Sequence, residues 1–439
     1  MSDIEASLTR RLTRMIRDRH VSEADLGHAE RFVRDWLGSY VAGGAAETGG
    51  IIRAYGEGSR DLEARAFVAA ALSHVTETDD LHRKSVTHPG CVVVPVALLL
   101  GRRRGARGHE VLRAVLAGYE AMTRVGEALG PAHYRTFHNT ATAGVFGSAA
   151  AAATLLGLDE DQWVWALGSA GTQTAGLWQF NEEGAMSKPL HAGHAAASGL
   201  RAALLAARGL TGAEAILEGE KGLFKGLCPD ARPAAVLDDA PGWKLPETSM
   251  KPYPCCRHVH PAIDAALALR GGAADALPAP ARVLVRSYPA ALDVTDRPLP
   301  HTPHEARFSL QYAVATTLLR GRPGLEHFEA AAVDDERIRS LLPRIQVESD
   351  AALAAAYPGR WGARVSVEED DGTERSVLCQ SATGDPDQPL DDQALDAKVT
   401  GLFRWAGLSA AQSTRTLRAC RALIRGAAVP ALPRAAARD

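Results

Sequence analysis

Side chains that can transfer protons gather in one short segment, "ETDDLHRKSVTHPG", residues 77–90. It holds Asp79, Asp80, His82 and His88, followed by Pro-Gly and an apolar run. A carboxylate and an imidazole on one loop can orient each other for general acid–base catalysis. Asp80, His82 and His88 are also types that bind divalent metal ions, and a solvated turn that ends at a helix is the non-functional interpretation.

His138 lies in a second segment, "YRTFHNTATAG", residues 134–144, directly before a predicted helix start. Asn139, Thr140 or Thr142 could cap this helix, because their side-chain oxygens accept hydrogen bonds from the N–H groups of a first turn. A structural and a catalytic role for this histidine both fit the pattern.

A third segment, "GAMSKPLHAGHAAASG", residues 184–199, contains Lys188. Because proline suits the first position of a helix, Pro189 predicts a helix start with Lys188 at its mouth. His191 and His194 then lie one turn apart. The free amides and the dipole of a helix start attract anions, and Lys188 adds a full positive charge, so this segment predicts a carboxylate site.

The fourth segment, "MKPYPCCRHVHPAID", covers residues 250–264. Its two X-Pro steps predict extended chain before Cys255, after which Arg257, His258 and His260 enter a helix. The His-x-His pair resembles a metal motif, but two histidines alone do not complete a metal site. We therefore expect no metal here, and we expect Cys255 to be a buried packing residue.

The composition limits the classes of function. With 439 residues the chain exceeds the usual size of a single core, so we expect two or three domains. A formal net charge of −3 without a long basic block argues against nucleic-acid binding. The longest apolar run, "CVVVPVALLL", has ten residues and a proline, whereas a membrane span needs about 20, so no membrane segment is expected.

The cysteines and the N-terminus are typical of a cytoplasmic protein. The six cysteines are scattered and form no C-x-x-C pair, unlike a disulfide framework, a zinc site or an iron–sulfur site. The N-terminus lacks the apolar core of a signal peptide. The sequence also has no G-x-G-x-x-G after a strand, no Walker loop and no G-x-S-x-G, so nucleotide-dependent and serine-hydrolase chemistry is not expected.

The elements that must position these residues have a helical pattern from about residue 22 to 275. Gly157 predicts the end of an alanine-rich helix that begins near Ala141. Four polar pairs at the spacing of a capping box predict helix starts. The pairs are Ser22 with Asp25, Asp159 with Gln162, Thr211 with Glu214, and Ser409 with Gln412.

The pattern changes near Gly271, after which short strands alternate with helices. The predicted strands are residues 282–288, 344–350, 363–370 and 374–381, and the last two form a hairpin around Asp371-Gly372. After about residue 392 the chain is helical again. We therefore predict a mainly α fold with two domains. They are an all-helical domain, residues 1–275 and 393–439, and an inserted α+β lid domain, residues 276–392.

The chain resembles the MmgE/PrpD family, which includes 2-methylcitrate dehydratase, cis-aconitate decarboxylase and iminodisuccinate epimerase. The resemblance runs in order through "DDLHRKSVTHPG", "FHNTATAGVFGSAAAAATLLGLDEDQ", "SKPLHAGHAAASGLRAALLAARGLTGAEAILEGEKGLF", "KPYPCCRHVHPAID" and "ARFSLQYAVATTLLRG". These segments cover most of residues 70–320 and are specific to the family, but much less specific to one reaction within it.

The resemblance implies a helical domain with a smaller lid, an active site in the cleft between them, a homodimer, and no metal or organic cofactor. Leu81, His194 and Gln311 depart from residues common in the family, which weakens the transfer of any one substrate, methylcitrate in particular. The residues that the resemblance implies for catalysis are His88, His138, Lys188, His260 and Asp80. Those expected to bind substrate are Arg257, His82, His191 and Asp79.

The reactions of the family share a step in which a proton α to a carboxylate is removed or delivered. We therefore expect a cofactor-independent lyase of the dehydratase type that acts on a small di- or tricarboxylate. The alternatives are an epimerase of an imino- or amino-dicarboxylate and a cis-aconitate-type decarboxylase. A catalytically inactive binding protein is the non-enzyme alternative, and it predicts that the histidines and the lysine do not converge in space.

Overall fold

The computed structural model describes residues 6–238, 241–271 and 280–435 of the chain. These residues are mainly α-helical, with one two-stranded and one four-stranded sheet, so the predicted fold class is confirmed. The first helices are α1 (Leu8–Asp18), α2 (Glu23–Ala45), α3 (Glu47–Tyr55), α4 (Leu62–Ser73), α5 (Pro89–Arg104), α6 (Gly108–Ala128), α7 (Pro131–Tyr134), α8 (Asn139–Leu156), α9 (Glu160–Gly171), α10 (Gln179–Glu183), α11 (Lys188–Ala206) and α12 (Leu223–Leu227). The later helices are α13 (His260–Arg270), α14 (Pro289–Thr295), α15 (Pro303–Arg307), α16 (Leu310–Arg320), α17 (Ala330–Val333), α18 (Glu336–Leu341), α19 (Ala351–Ala356), α20 (Asp392–Trp405) and α21 (Ala410–Arg421).

The strands are few and short. They are β1 (Leu81–His82), β2 (Thr248–Ser249), β3 (Arg282–Ser287), β4 (Ile345–Ser349), β5 (Ala363–Glu368) and β6 (Glu374–Cys379). Strands β1 and β2 pair antiparallel. The other four form a sheet in the order β4-β3-β5-β6, in which β3 is parallel to β4 and antiparallel to β5. Strands β5 and β6 form the predicted hairpin, and Gly372 takes a positive φ of 82° in its turn.

The chain forms two compact units. The first consists of Met1–Val75, Asp79–Ser249 and Asp392–Asp439, and the second of Thr76–Thr78 and Met250–Asp391. The predicted domain boundary at residues 275 and 276 falls within residues 272–279, which lie outside the described residues. The second unit already begins at residue 250, because α13 packs on β5 and β6 of its sheet.

The core of the first unit is built around α8, against which α5, α6, α9 and α11 pack. Small residues let these backbones approach closely. A Cβ atom at Gly199 of α11 would lie 2.4 Å from the carbonyl oxygen of Val145, and one at Gly147 of α8 would lie 2.9 Å from that of Gly118. Because real Cβ atoms do not approach other atoms so closely, each glycine is required by its neighbour's backbone.

Three of the four predicted helix starts are confirmed, since capping boxes at Ser22, Asp159 and Ser409 begin α2, α9 and α21. The fourth is wrong, because the chain after Thr211 forms turns instead of a helix. The side chain of Glu214, which the pattern assigned to capping, accepts a hydrogen bond from Arg10 Nε at 2.8 Å. A distant ion pair has replaced the local cap.

None of the helices in the described part of the chain combines the length and the apolar sequence that a membrane crossing requires.

Candidate active site

Three helices of the first unit begin beside one another, and a predicted catalytic residue stands at each start. His88 is the residue before α5, His138 is the residue before α8, and Lys188 is the first residue of α11. The imidazole rings of His88 and His138 have centroids 6.2 Å apart. Because the N-terminal end of a helix carries a partial positive charge, the three starts together favour an anionic ligand.

The backbone carbonyl of Asp80 fixes the tautomer of His88. The distance from His88 Nδ1 to Asp80 O is 2.6 Å, and a carbonyl oxygen can only accept a hydrogen bond. Nδ1 therefore carries the proton, and in the neutral ring the lone pair is at Nε2. Nε2 is then the atom through which His88 can take up or release a proton.

The carboxylate that lies next to His88 belongs to Asp79. Its Oδ2 is 3.2 Å from His88 Nδ1 and 2.7 Å from His74 Nδ1. All three side chains are buried, so little water screens the charge of Asp79. The role of orienting a histidine, which the sequence suggests for a carboxylate on this loop, is thus divided: Asp80 acts on the ring through its main chain, and Asp79 supplies the neighbouring charge.

The carboxyl group of Asp80 is buried and hydrogen-bonded to uncharged groups. It is 2.6 Å from the hydroxyl of Tyr119 and accepts a hydrogen bond from Gly90 N at 3.0 Å. Burial raises the pKa of Asp80 to about 8; the Tyr119 hydrogen bond opposes this rise, and the charge of Asp79 adds to it. At neutral pH the group is therefore mostly protonated.

His138 and His191 share one proton between facing ring nitrogens. The distance between their Nδ1 atoms is 3.1 Å, so one ring donates and the other accepts. The pKa of His138 lies well below its ordinary value and that of His191 is lowered to about 4; burial is the largest cause in both, and the charge of Lys188 contributes to both shifts. Both rings are therefore neutral at neutral pH, and Lys188 is close enough to act on each.

Aromatic rings surround this pair. The indole of Trp178 lies 4.6 Å from the ring of His138, and the ring of Phe180 lies 5.3 Å from that of His191, both measured between centroids. Apolar rings restrict water around the imidazoles, which explains why burial is the largest cause of their lowered pKa values. His194 lies apart and bonds the carbonyl oxygen of Gln173.

His74 belongs to this cluster, although the sequence analysis did not select it. It ends α4, and its ring stacks on that of His138 with centroids 5.6 Å apart and planes inclined by 10°. Its Nε2 is buried and has no hydrogen-bond partner among the described residues. A histidine at a helix end, three residues before the acidic segment 77–90, is the signal in the sequence that indicates it. Tyr119, on α6, was missed as well, because nothing in its own segment indicates a contact with Asp80.

The loop that leads to His88 is strained and held by α8. Val86 has a positive φ of 49°, which is rare for a β-branched residue and costs conformational energy. Asn139 Nδ2 donates to Ser85 O at 2.8 Å, and the backbone N–H of His88 donates to Thr140 Oγ1 at 3.1 Å. The first turn of α8 thus positions the start of α5.

His82 lies in a different polar cluster of the same unit. Its Nδ1 is 2.9 Å from Ser85 Oγ, and its Nε2 is 3.6 Å from Glu127 Oε1. The ammonium of Lys244 lies 3.2 Å from the same carboxylate oxygen. Burial lowers the pKa of His82 to about 3, with the charge of Lys244 as the next cause, so the ring is neutral. Its role in substrate binding stays a prediction.

The second unit holds Arg257 and His260. Arg257 Nη2 forms an ion pair with Asp385 and donates to Ala382 O at 3.3 Å. His260 Nε2 lies 3.2 Å from the carbonyl oxygen of Cys255, so this nitrogen carries the proton. Arg257 is therefore engaged within its own unit, and the roles predicted for Arg257 and His260 stay predictions.

Two groups of side chains in the described ranges have the residue types of a metal site, with ligand atoms within 4.8 Å of one another. One consists of His74, Asp79 and Cys91, and the other of His82, Glu127 and Glu247. A hydrogen bond already joins the first two residues of the first group, and the Lys244 ammonium lies beside the carboxylates of the second. Asp80, His82 and His88, which the sequence offered only as an alternative metal-binding set, are not one of these groups.

Comparisons with known proteins cover nearly the whole chain. The model of the MmgE/PrpD N-terminal domain matches residues 3–235, and that of the MmgE/PrpD C-terminal domain matches residues 253–423. The chain is 28% identical to a cis-aconitate decarboxylase of Homo sapiens over 358 residues, 75% of this chain and 73% of the relative. It is 28% identical to a cis-aconitate decarboxylase-like protein, oryM, of Aspergillus oryzae (strain ATCC 42149 / RIB 40), over 76% of this chain and 74% of the relative. A cis-aconitate decarboxylase of Aspergillus terreus is 30% identical over 54% of this chain and 51% of the relative.

Proposed function

Because the chain belongs to the MmgE/PrpD family, we propose that it is a lyase that acts on a small polycarboxylate and transfers a proton at the carbon next to a carboxylate. The observation that carries this proposal is the geometry of His88. Its Nδ1–H is fixed by Asp80 O and lies beside the charge of Asp79, so proton transfer to or from the neutral ring takes place at Nε2. The same constellation of carboxylate and imidazole serves proton transfer in many enzymes.

The substrate carboxylates bind where α5, α8 and α11 begin. Lys188 brings an ammonium group to a buried position, and the dipoles of the three helices add partial positive charge at their starts. A carbanion next to a carboxylate places negative charge on the carboxylate oxygens. In surroundings with little water, fixed positive charges stabilise that charge more than they would in solution.

His138 and His191 act as one hydrogen-bonding unit. Because a single proton lies between their Nδ1 atoms, a substrate group that bonds one ring sets the tautomer of both. Their lowered pKa values keep both rings neutral. The pair can therefore form hydrogen bonds with polar substrate groups, while Lys188 binds a substrate carboxylate. We assign His138 the second acid–base function and His191 a binding function.

Among lyase reactions, the named relatives favour decarboxylation of a tricarboxylate that resembles cis-aconitate. In that reaction the bond to one carboxyl group breaks, CO₂ leaves, and its electron pair forms an allylic carbanion that an imidazolium protonates. Dehydration uses the reverse proton step, in which a neutral imidazole removes the α proton before hydroxide leaves. Both reactions need the same fixed cations and the same imidazole.

Incubation in D₂O with a panel of di- and tricarboxylates, cis-aconitate included, tests the proposal. Proton NMR follows deuterium in the product, and a CO₂ assay runs in parallel. CO₂ release with one deuterium per product supports a decarboxylase, alkene formation from a hydroxy acid supports a dehydratase, and exchange alone indicates an epimerase. No reaction with any member of the panel, under conditions where the folded protein binds the compounds, would favour an inactive binding protein.

Variants assign the reaction to this site. His88→Gln and Lys188→Met should each lower turnover by about 10²–10⁴-fold, because each removes a group that acts in the transition state. Lys188→Arg, which keeps the charge, is the conservative variant, and His109→Gln at an exposed position is the matched control. Full turnover in both His88→Gln and Lys188→Met would refute the assignment.

The remaining predicted residues keep their proposed roles. His260 is a further acid–base group, Arg257 and His82 are carboxylate ligands, and the active form is a homodimer that requires no metal or organic cofactor. For Arg257→Lys and His82→Gln we expect a raised KM with a smaller change in kcat. Light scattering tests the dimer, and turnover after dialysis against a chelator tests the independence from metal.

A further inference from the structure

One carboxylate oxygen in the site serves two imidazoles. Asp79 Oδ2 lies 2.7 Å from His74 Nδ1 and 3.2 Å from His88 Nδ1. The side chain of His74 is fully buried, and the rings of His74 and His88 meet edge to face with centroids 4.9 Å apart. His74 therefore contacts the charge that acts on His88.

The tautomer of His74 follows from this contact. A carboxylate can only accept, so His74 Nδ1 carries the proton and donates it to Asp79 Oδ2. Its Nε2 has no hydrogen-bond partner among the residues that the structure describes and is closed to water. An N–H at this position would be buried without an acceptor, so the tautomer with the proton on Nδ1 is the one that fits the surroundings.

We propose that His74 is a positioning residue that sets the basicity of His88 through their shared carboxylate. This inference rests on the proposed function, in which His88 moves the proton. The hydrogen bond from His74 withdraws part of the charge of Asp79 and thereby weakens the attraction between Asp79 and protonated His88. His74 thus lowers the pH at which the pair formed by His88 and Asp79 loses its last proton.

The direction of the effect does not depend on which member of that pair holds the proton. Without the His74 donor, the fully deprotonated pair loses more stabilisation than either singly protonated form, because only in that state is the whole charge left on Asp79. The last proton therefore leaves at a higher pH. One charge-assisted hydrogen bond corresponds to a shift of about one pH unit.

Several ionisable groups around the pair are held by contacts that do not involve His74. Asp80 and Tyr119 bond each other, and Cys91 of α5 bonds the carbonyl oxygen of His88. Lys188 and the pair of His138 and His191 face the cluster from α8 and α11. A shift that appears only when the donor is lost is therefore due to His74.

Two variants separate the donor from the ring. His74→Phe keeps an aromatic ring against His138 and removes the donor, whereas His74→Asn places an amide N–H near the former Nδ1. The readout is the titration of His88, followed by the ¹³C shift of its ring carbon in labelled protein without substrate. The pH profile of kcat/KM is the second readout. If His74→Phe does not fold, His74→Leu takes its place.

We expect the midpoint for His88 to rise by about one pH unit in His74→Phe and to stay near that of the original protein in His74→Asn. Equal midpoints in all three proteins, or equal shifts in both variants, would overturn the inference. Because the NMR titration needs no turnover, it still tests His74 if every substrate fails, and a failure of the proposed function remains distinguishable.

Discussion

Replacing Asp80 by asparagine tests whether this buried acid works in its neutral form. With a pKa of about 8, the carboxyl group is mostly protonated at neutral pH. A protonated carboxyl group and a carboxamide have nearly the same shape, and each offers a donor and an acceptor to Tyr119 and Gly90. We therefore expect Asp80→Asn to fold and to keep its turnover well within the 10²-fold loss that marks an acid–base residue.

The stability of the variant follows from the shift of the pKa. Below about pH 4 the carboxyl group is protonated in both the folded and the unfolded chain. Between pH 4 and pH 8 the unfolded chain releases the proton and the folded chain keeps it, so this group makes the protein less stable as the pH rises. A pKa raised from 3.8 to about 8 corresponds to a loss of about 6 kcal/mol across that interval, or about 1.4 kcal/mol per pH unit.

Urea unfolding of the original protein and of Asp80→Asn at one-unit steps from pH 5 to pH 9 measures this effect. The free energy of unfolding of the variant, minus that of the original protein, should increase with pH up to about pH 8 and be constant above it. Asp293→Asn, at an exposed position, is the control for the chemical change. Parallel curves for Asp80→Asn and the original protein would refute the raised pKa, and a loss of turnover above 10²-fold would show that Asp80 itself transfers the proton.

Three further predictions concern residues of the same unit. His191→Gln should make the stability of the protein less sensitive to acid. With a pKa near 4, the folded His191 ring binds fewer protons than the unfolded ring between about pH 4 and 6.5, so the original protein loses stability as the pH falls through this range. Thermal melts of both proteins across this range measure the difference. Val86→Gly should raise the free energy of unfolding by about 1 kcal/mol, because glycine adopts a positive φ without strain. It should also lower kcat, because the loop before His88 becomes looser. An unchanged melting temperature would argue against strain at Val86. Gly199→Ala should lower the free energy of unfolding, measured with urea, by about 1–3 kcal/mol, because the added Cβ would lie 2.4 Å from a backbone oxygen. Gly226→Ala, at an exposed position with open space around it, is the control and should change this free energy little.

Helix starts that depend on neighbouring residues were predicted correctly from the sequence. The prediction failed where a residue makes a contact with a distant part of the chain. Capping boxes at Ser22, Asp159 and Ser409 depend only on residues within one turn, and all three form. The same pattern at Thr211 fails because Arg10, far away in the sequence, binds Glu214. The mainly α fold followed from both the periodicity and the family resemblance.

For the site, the sequence indicated the segments but could not assign roles within them. Adjacent acids such as Asp79 and Asp80 look equivalent in a sequence, and only the fold directs one towards the imidazoles and the other towards Tyr119. The main-chain contact that fixes His88 has no sequence signature at all. His74 was not predicted as a site residue because it stands at the end of α4, whereas the residues that it contacts, His88 and His138, stand at the starts of two other helices.

The glycine and alanine faces of α8 and α11 have a consequence for how such an enzyme can evolve. Lys188 begins α11, and Gly199 lies eleven residues later, about 16 Å along the helix axis. The distances between the packed helices determine where the reactive groups at their first residues lie. A methyl group added between two of these helices would increase the distance between them and so move those groups. Mutations that alter substrate choice without loss of the catalytic geometry are therefore confined to the segments between these helices. The segment from Leu177 to Met186, in which both of these end residues are exposed and Phe180 is buried against His191, is one of them.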